Sequence, residues 1–176
     1  VTSPITHTIG EAIWNQHSDG LLYRHVNDQW WPDKIYWRKL HDDQADTLIC
    51  AEEDGGFFLS MHLSQSEQLV FLRSADHVTS EVSYLPIDDF SATPVMISPR
   101  SSGHEYDVEH YQDQLLIRSN LRQPNFDLFT APLSAHSQAQ WQPFLEGDDN
   151  HYLVGHLVYE NHVFVPQRVD GLDQIL

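Results

Sequence analysis

The sequence predicts an all-β fold, and three observations support this prediction. Segments of about four to eight residues rich in Val, Ile, Leu, Tyr, Phe and Trp alternate with turns containing Gly, Pro and polar residues, as is typical of β-strands. No amphipathic pattern is long enough for a three-turn helix, since the stretch SAHSQAQWQPF is polar and carries Pro143, which would interrupt a helix. The strand-like segments also recur with a nearly constant period.

The repeat is clearest in the segment that opens each unit. FLSMHLS (58–64), YDVEHYQ (106–112) and YLVGHLV (152–158) each have an aromatic residue followed four positions later by a histidine. These histidines, His62, His110 and His156, are separated by 48 and 46 residues. Each opening segment is followed by a polar turn and a second predicted strand: QLVFLRS, QLLIRSN and HVFVPQR.

Third and fourth predicted strands follow in the same register. The third strands are KIYWRKL, SEVSYLP, FDLFTAP and LDQIL, and the aligned positions near their starts, Lys34, Glu81, Asp127 and Asp173, are spaced by 47, 46 and 46 residues. The fourth strands are DTLICAEE, PVMISPR and WQPFLEG. Four strands in each period of about 46 residues are typical of the blade of a β-propeller.

We therefore predict a partial β-propeller of about four four-stranded antiparallel blades, with residues 1–176 forming one propeller segment. The approximate blades are 9–53, 57–100, 105–147 and an incomplete 152–176. Packing between blades would explain why many strands are apolar on both faces. The alternative is an antiparallel sandwich with accidental spacing. Since an open arc exposes sheet edges and blade faces, we expect the isolated segment to be either such an arc or an oligomer that covers them by self-association.

Charge and composition restrict the classes of molecule that the chain is expected to bind. The net charge is -17, with 26 acidic and nine basic residues, which disfavours nucleic acid and anionic membranes and favours cationic ligands. A general solubility adaptation would give the same composition. No apolar run approaches the roughly 18 residues of a membrane span. The single cysteine, Cys50, excludes an internal disulfide, and we expect it to be a buried, inert thiol in a cytoplasmic protein.

Catalytic and cofactor motifs are missing from the sequence. It contains no G-x-S-x-G nucleophile elbow, H-E-x-x-H motif, phosphate-binding loop, dinucleotide-binding motif or calcium-binding loop, and no Cys/His zinc pattern. We therefore predict no catalytic residue, metal or cofactor in this chain, and no hydrolysis by the chain alone.

The segment HEYDVEH (104–110) resembles a site because it contains two histidines and three carboxylates. On a strand, His104, Tyr106, Val108 and His110 would share one face, and the histidines would lie roughly 20 Å apart, too far to bind one metal ion. We interpret His62, His110 and His156 as packing residues with satisfied hydrogen bonds.

The opposite face of this strand carries Glu105, Asp107 and Glu109, which we predict to steer basic peptides electrostatically. The alternative is a solvated or arginine-paired set of carboxylates, with Arg118 and Arg122 as partners.

Several longer segments resemble a known family. GEAIWNQHSDGLLYRHVND, WPDKIYWRKL, DTLICAEEDGGFF, TSEVSYLPIDD and, most specifically, HEYDVEHYQDQLLIRSNLRQPNFDLFTAP resemble oligopeptidase B, a branch of the prolyl oligopeptidase family of serine peptidases. The resemblance runs from about Gly10 to Leu176. It implies that the chain, which begins VTSPITH without Met, is an excised segment of a seven-bladed propeller that caps an α/β-hydrolase domain.

The same resemblance implies a function. The parent would hydrolyse short peptides after Arg or Lys, its catalytic triad would lie in the hydrolase domain, and the propeller would act as a lid. The chain departs from the family at Trp31, where Arg usually precedes the proline; we expect Trp30 and Trp31 to pack on a neighbouring blade or on the hydrolase domain. The alternative functions are a protein-interaction propeller, against which the lack of W-D blade signatures argues, and a propeller glycosidase.

Overall fold

The computed structural model describes residues 4–41 and 45–176, and these residues are almost entirely β-structure. The one helical element among them is a 3-10 turn at Gln138–Gln140. The strands are β1 Thr8–Trp14, β2 Gly20–Val26, β3 Pro32–Lys39, β4 Thr47–Ala51, β5 Phe58–Leu63, β6 Leu69–Ala75, β7 Ser80–Pro86, β8 Val95–Ser98, β9 Tyr106–Tyr111, β10 Gln114–Ser119, β11 Asp127–Pro132, β12 Gln142–Leu145, β13 His151–Leu153, β14 Leu157–Tyr159, β15 His162–Phe164, β16 Pro166–Val169 and β17 Leu172–Ile175.

The first twelve strands form three four-stranded sheets. Their orders are β1-β2-β3-β4, β5-β6-β7-β8 and β9-β10-β11-β12, so each sheet is a meander in which neighbours in sequence are neighbours in space. In the third sheet, Ile117 of β10 lies between Val108 of β9 and Phe129 of β11 in an unbroken antiparallel register. The predicted all-β fold of antiparallel blades is confirmed.

The fourth repeat differs from the prediction. YLVGHLV and HVFVPQR were each predicted to be one strand, but β13-β16-β17 form a three-stranded sheet and β14-β15 a separate hairpin. Pro166 has no N–H to continue a ladder from β15, and Gly155 interrupts the first segment. The β16–β17 turn is regular, because Asp170 and Gly171 both have positive φ, as a two-residue hairpin turn requires.

The chain forms two compact units. The first holds the described residues up to Leu63 together with Glu67–Asp76 and Ser83–Val95, and the second holds Ser64–Ser66, His77–Val82 and Met96–Leu176. The core of the first unit combines side chains of the first and second sheets, namely Leu22, Ile35, Leu59, Met61, Val70, Leu72, Leu85 and Phe90. Burying each such side chain contributes about 1.5–3 kcal/mol.

The second unit has its own apolar core, which combines side chains of the third and fourth repeats. Phe126 and Leu128 pack with Leu153 and Val165. An aromatic cluster of Tyr106, Phe129 and Trp141 lies within the same unit. Cys50, in the first unit, is half-buried at the edge of that unit's core, so the prediction of a buried thiol is correct only in part.

Trp31 and Trp30 have different environments. The indole of Trp31 donates a hydrogen bond to the Phe57 carbonyl at 2.7 Å and meets the Phe58 ring edge-on, which confirms that it packs on the next sheet. Trp30 is 74% exposed, so it does not pack on a neighbouring blade within the described residues, and its packing on a hydrolase domain stays a prediction.

An arginine on the second strand of a sheet joins that sheet to the next one, and this arrangement occurs in both units. Arg118 of β10 donates from Nε to the Leu153 carbonyl at 2.6 Å and pairs through Nη1 with Asp107 of β9 at 3.2 Å. Its guanidinium also lies 3.6 Å above the Phe126 ring. Because the Arg118 side chain is buried, these contacts satisfy a charge that water cannot reach.

Two repeats earlier, in the first unit, Arg24 of β2 makes the same pair of contacts. It donates to the Leu59 carbonyl at 3.0 Å and pairs with Glu11 at 2.8 Å. The corresponding residue of β6 is Arg73, which faces Ser60 in register rather than a carboxylate. The sequence repeat is therefore matched by a repeated polar interaction as well as by the strands.

We expect Arg118→Met to lower the free energy of unfolding by about 2 kcal/mol, because it leaves the Leu153 carbonyl and the Asp107 carboxylate without their donor. Urea unfolding followed by circular dichroism measures the change. The matched control is Arg168→Met, which removes an exposed pair with Asp173 and should cost less than about 0.5 kcal/mol. Equal losses for the two variants would show that the buried contacts of Arg118 do not stabilise the fold.

Candidate functional site

Strand β9 and the two residues before it place the predicted site residues on alternating faces. Tyr106, Val108 and His110 are buried, whereas Asp107 and Glu109 are half-buried. The predicted alternation is therefore confirmed, and the two faces of the strand have different chemistry.

The buried face begins with His104, whose ring is held by two polar side chains. Gln138 donates from Nε2 to His104 Nδ1 at 3.1 Å, so the ring proton lies on Nε2, which donates to Ser119 Oγ at 2.8 Å. The ring stacks on Tyr106 with centroids 5.0 Å apart. Burial lowers the pKa of His104, so the imidazole is neutral near pH 7.

Tyr106 is also a structural residue. Its hydroxyl donates to the Ser98 carbonyl at 2.5 Å and accepts from the Val82 amide at 2.8 Å. Both capacities of the hydroxyl are thus used inside the second unit, and the ring is fully buried. His104 and Tyr106 therefore hold strands together and do not form a reactive pair.

His110 has one partner in the turn after β5. Its Nδ1 lies 2.7 Å from Ser66 Oγ, which lies 2.9 Å from Ser64 Oγ. Burial lowers the pKa of His110, and its Nε2 has no hydrogen-bond partner in residues 4–41 and 45–176. This is not a Ser-His-acid triad, because Glu109 contacts the backbone N–H of His110 and not its ring.

The predicted role of the three repeated histidines is confirmed only in part. His110 packs in the interior as predicted, but among the described residues its Nε2 lacks the hydrogen bond that was predicted. The side chain of His156 is 5% exposed, and its Nδ1 lies 3.9 Å from Asp107 Oδ2. His62 is exposed and stacks on Phe71, so it is a surface residue rather than an interior one.

The three carboxylates of the opposite face have three different environments. Glu109 accepts the backbone N–H groups of Gln65 at 3.1 Å and His110 at 2.7 Å, and burial raises its pKa. Asp107 is the partner of Arg118. Glu105 is half-buried and bonded through its backbone to Asn120, and its carboxylate has no hydrogen-bond or ion-pair partner among the described residues.

The alternative of arginine pairing is correct for one arginine. Arg118 pairs with Asp107, but Arg122 contacts Asp127 at 2.9 Å and Glu146 at 3.1 Å instead of the β9 carboxylates. Burial opposes ionisation of Asp127, but hydrogen bonds from Arg122, Gln123 and the Gly147 amide lower its pKa. The ionised Asp127 is a structural anchor at the start of β11.

Sequence reasoning missed a polar pocket of about 330 Å³ in the first unit. Its wall includes Asp46, which accepts from the Tyr23 hydroxyl at 2.6 Å and from Arg38 Nε at 2.7 Å. Burial, together with Asp46, raises the pKa of Tyr23. Since the three residues come from three separate segments, no local motif marks them. The carboxylate is occupied by its protein partners, which indicates a structural role.

No three His, Cys, Asp or Glu side chains among residues 4–41 and 45–176 are grouped so that they could hold a metal ion. In the same residues, no helix has the length and apolar character required to cross a bilayer.

The consecutive four-stranded meanders, repeated with their linking arginines, define a segment of a β-propeller. Residues 3–176 match the family described as the prolyl oligopeptidase N-terminal β-propeller domain, and the chain belongs to this family. The resemblance to oligopeptidase B seen in the sequence is thereby confirmed.

Curated relatives and solved structures agree with this assignment. Protease 2 of Moraxella lacunata is 30% identical over 173 residues, covering 98% of this chain and 25% of the relative. Dipeptidyl aminopeptidase BI of Pseudoxanthomonas mexicana is 25% identical over 134 residues, covering 74% of the chain and 18% of the relative. Oligopeptidase B from Leishmania major superposes with a TM-score of 0.88 at 23% identity, covering 96% of this chain and 24% of that one.

A second solved structure shares the fold. Oligopeptidase B from Trypanosoma brucei, with covalently bound antipain, has a TM-score of 0.87 at 20% identity, covering 97% of this chain and 25% of that one. The chain therefore spans about a quarter of the length of these proteins.

We expect Glu109→Gln to change the pH dependence of stability. The folded-state pKa of Glu109 is raised above its ordinary value of 4.5. Protonated Glu109 therefore contributes to the free energy of unfolding below pH 4.5, and this contribution is lost as pH rises through the folded-state pKa. Gln keeps an oxygen for the two backbone donors but carries no charge. The stability of the protein minus that of the variant should therefore fall as pH rises, measured by urea unfolding from about pH 4 to 7.

The matched control is Glu160→Gln, which neutralises an exposed carboxylate on the same unit. A difference curve for Glu109→Gln that does not fall, or that follows the Glu160→Gln curve, would contradict the burial argument.

Proposed function

We propose that this chain is part of the propeller of an oligopeptidase B-like serine peptidase that hydrolyses short peptides after Arg or Lys. The observation that carries the proposal is the family match over residues 3–176 together with the 30% identity to Protease 2. The chain supplies blades and no catalytic group. Its role is that of a lid, and the parent protein acts in the cytoplasm.

The sequence supports the assignment of catalysis to a separate hydrolase domain and of substrate exclusion to the blades. A serine nucleophile of this class needs a tight strand-to-helix elbow with small neighbours, and no G-x-S-x-G occurs here. The Ser, Asp and His of the triad, with the oxyanion hole, would come from an α/β-hydrolase domain of the full-length protein. The blades would then exclude folded proteins by size and admit flexible peptides.

The negative charge of the chain supports the preference for basic substrates. A net charge of -17 creates a potential that attracts cationic peptides and weakens with added salt. Within the predicted steering face, Asp107 and Glu109 are bound by protein donors. Glu105, directly before β9, is the carboxylate of this face that remains available to a passing cation, so steering by this face rests mainly on Glu105.

The full-length protein should cleave an amide after Arg or Lys in a short peptide, should act poorly on the same peptide with a neutral residue, and should be inactivated by a serine-reactive inhibitor. Release of a chromogenic amine measures the rate. Absence of inhibitor-sensitive cleavage of either peptide would overturn the peptidase proposal and favour a propeller that only binds proteins. Cleavage without a basic preference would overturn the specificity alone.

We expect Glu105→Gln in the full-length protein to raise KM for dibasic peptides by about twofold, with a smaller change for neutral peptides, because one attractive charge is lost. The effect should shrink between low and physiological ionic strength. Adding Asp107→Asn and Glu109→Gln should enlarge the difference between the two substrates.

Glu160→Gln serves as the control, since it changes the net charge equally at an exposed turn. If the Glu105→Gln and triple variants change KM by the same factor for dibasic and for neutral peptides, the carboxylates of this face do not steer basic substrates.

A further inference from the structure

The turn between β2 and β3 is held in one conformation by Asn27. Its side-chain oxygen accepts the backbone N–H groups of Gln29 at 2.9 Å and Trp31 at 3.0 Å. The backbone N–H of Asn27 donates to the Trp31 carbonyl at 2.9 Å, and the backbone N–H of Trp30 donates to the backbone carbonyl of Asn27 at 2.9 Å. These four bonds fix the backbone on both sides of Trp30.

The backbone of Trp30 is strained. Its φ is +62°, in the left-handed region that is unfavourable for a residue with a Cβ by roughly 1–2 kcal/mol. A large aromatic side chain usually stabilises a fold by being buried, yet the Trp30 side chain is 74% exposed. The neighbouring Trp31, by contrast, is anchored on Phe57 and Phe58. A strained residue that presents an indole to solvent indicates a contact with something outside the described fold.

The surroundings of Trp30 indicate the chemistry of that contact. Trp30 lines a pocket of about 280 Å³ with His7, Thr8, Val26, Asn27 and Asp28. The Asp28 carboxylate is fully exposed, and its nearest basic group is His7 Nε2 at 4.0 Å. An indole face attracts a cation through its quadrupole, and a carboxylate beside it adds a charge partner. The net charge of the chain favours the same class of ligand.

We propose that the Trp30 pocket binds the side chain of a basic residue, Arg or Lys, from an extended peptide. The guanidinium or ammonium group lies against the Trp30 indole and pairs with Asp28, while the methyl group of Thr8 contacts the aliphatic part of the side chain. A planar guanidinium can stack on the ring and donate to the carboxylate together, so Arg binds better than Lys. The pocket binds its ligand without chemistry, and this inference does not depend on the peptidase assignment.

The test uses the full-length protein labelled with fluorotryptophan and observed by fluorine NMR, with N-acetyl-arginine amide as the probe. The resonance that disappears in Trp30→Leu belongs to Trp30. This resonance should shift in a saturable way with the arginine probe and much less with the uncharged isostere N-acetyl-citrulline amide. Asp28→Asn should weaken binding about two- to threefold, and added salt should weaken it further.

Trp14, which is 50% exposed, supplies the internal control because its resonance should not respond. Equal responses to arginine and citrulline would overturn a cation site. No shift of the Trp30 resonance with the probe would overturn the pocket as a peptide site. A shift that depends on protein concentration and not on the probe would overturn it as well, and would assign the indole to contact between copies. The readout involves no turnover, so its outcome is independent of the peptidase assay.

Discussion

The structure depends on strands that are apolar on both faces, because such a sheet is stable only when other sheets cover it. Strands β6 and β10 show this most clearly, since nearly all their residues are buried although they alternate sides. In the first unit, side chains of the first and second sheets form one core, and in the second unit the third and fourth repeats do the same. Packing between successive sheets explains why the sequence repeats as whole four-strand units.

Arg24 and Arg118 add a directional bond to this non-directional packing. Each lies on a second strand, is paired with a carboxylate of its own sheet and donates to a backbone carbonyl of the next. A buried guanidinium without these partners would be costly, so the bonds favour one relative placement of the two sheets within a unit. Asp107 is part of this structure, which explains why a carboxylate predicted to steer substrate is instead committed to the fold.

The described residues contain polar groups that hold strands and others that are free to meet a ligand. His104, Tyr106, Glu109 and Asp127 use their hydrogen-bonding capacity within the fold. In the first unit, Asp28 and Trp30 are exposed and combine negative charge with an aromatic face, and in the second unit Glu105 is a half-buried carboxylate.

The sequence by itself determined the all-β fold, the positions of most strands, the repeat and the two faces of β9, because β propensity, turn residues and a side-chain period of two are local properties. It did not determine the partners of the site residues. Glu109 is occupied by Gln65, 44 residues away, and Arg118 rather than Arg122 pairs with Asp107. The division of the fourth repeat and the exposure of Trp30 were likewise decided by tertiary structure. These features depend on which distant turn or strand packs against a residue. Such packing cannot be predicted from the residues adjacent in the sequence.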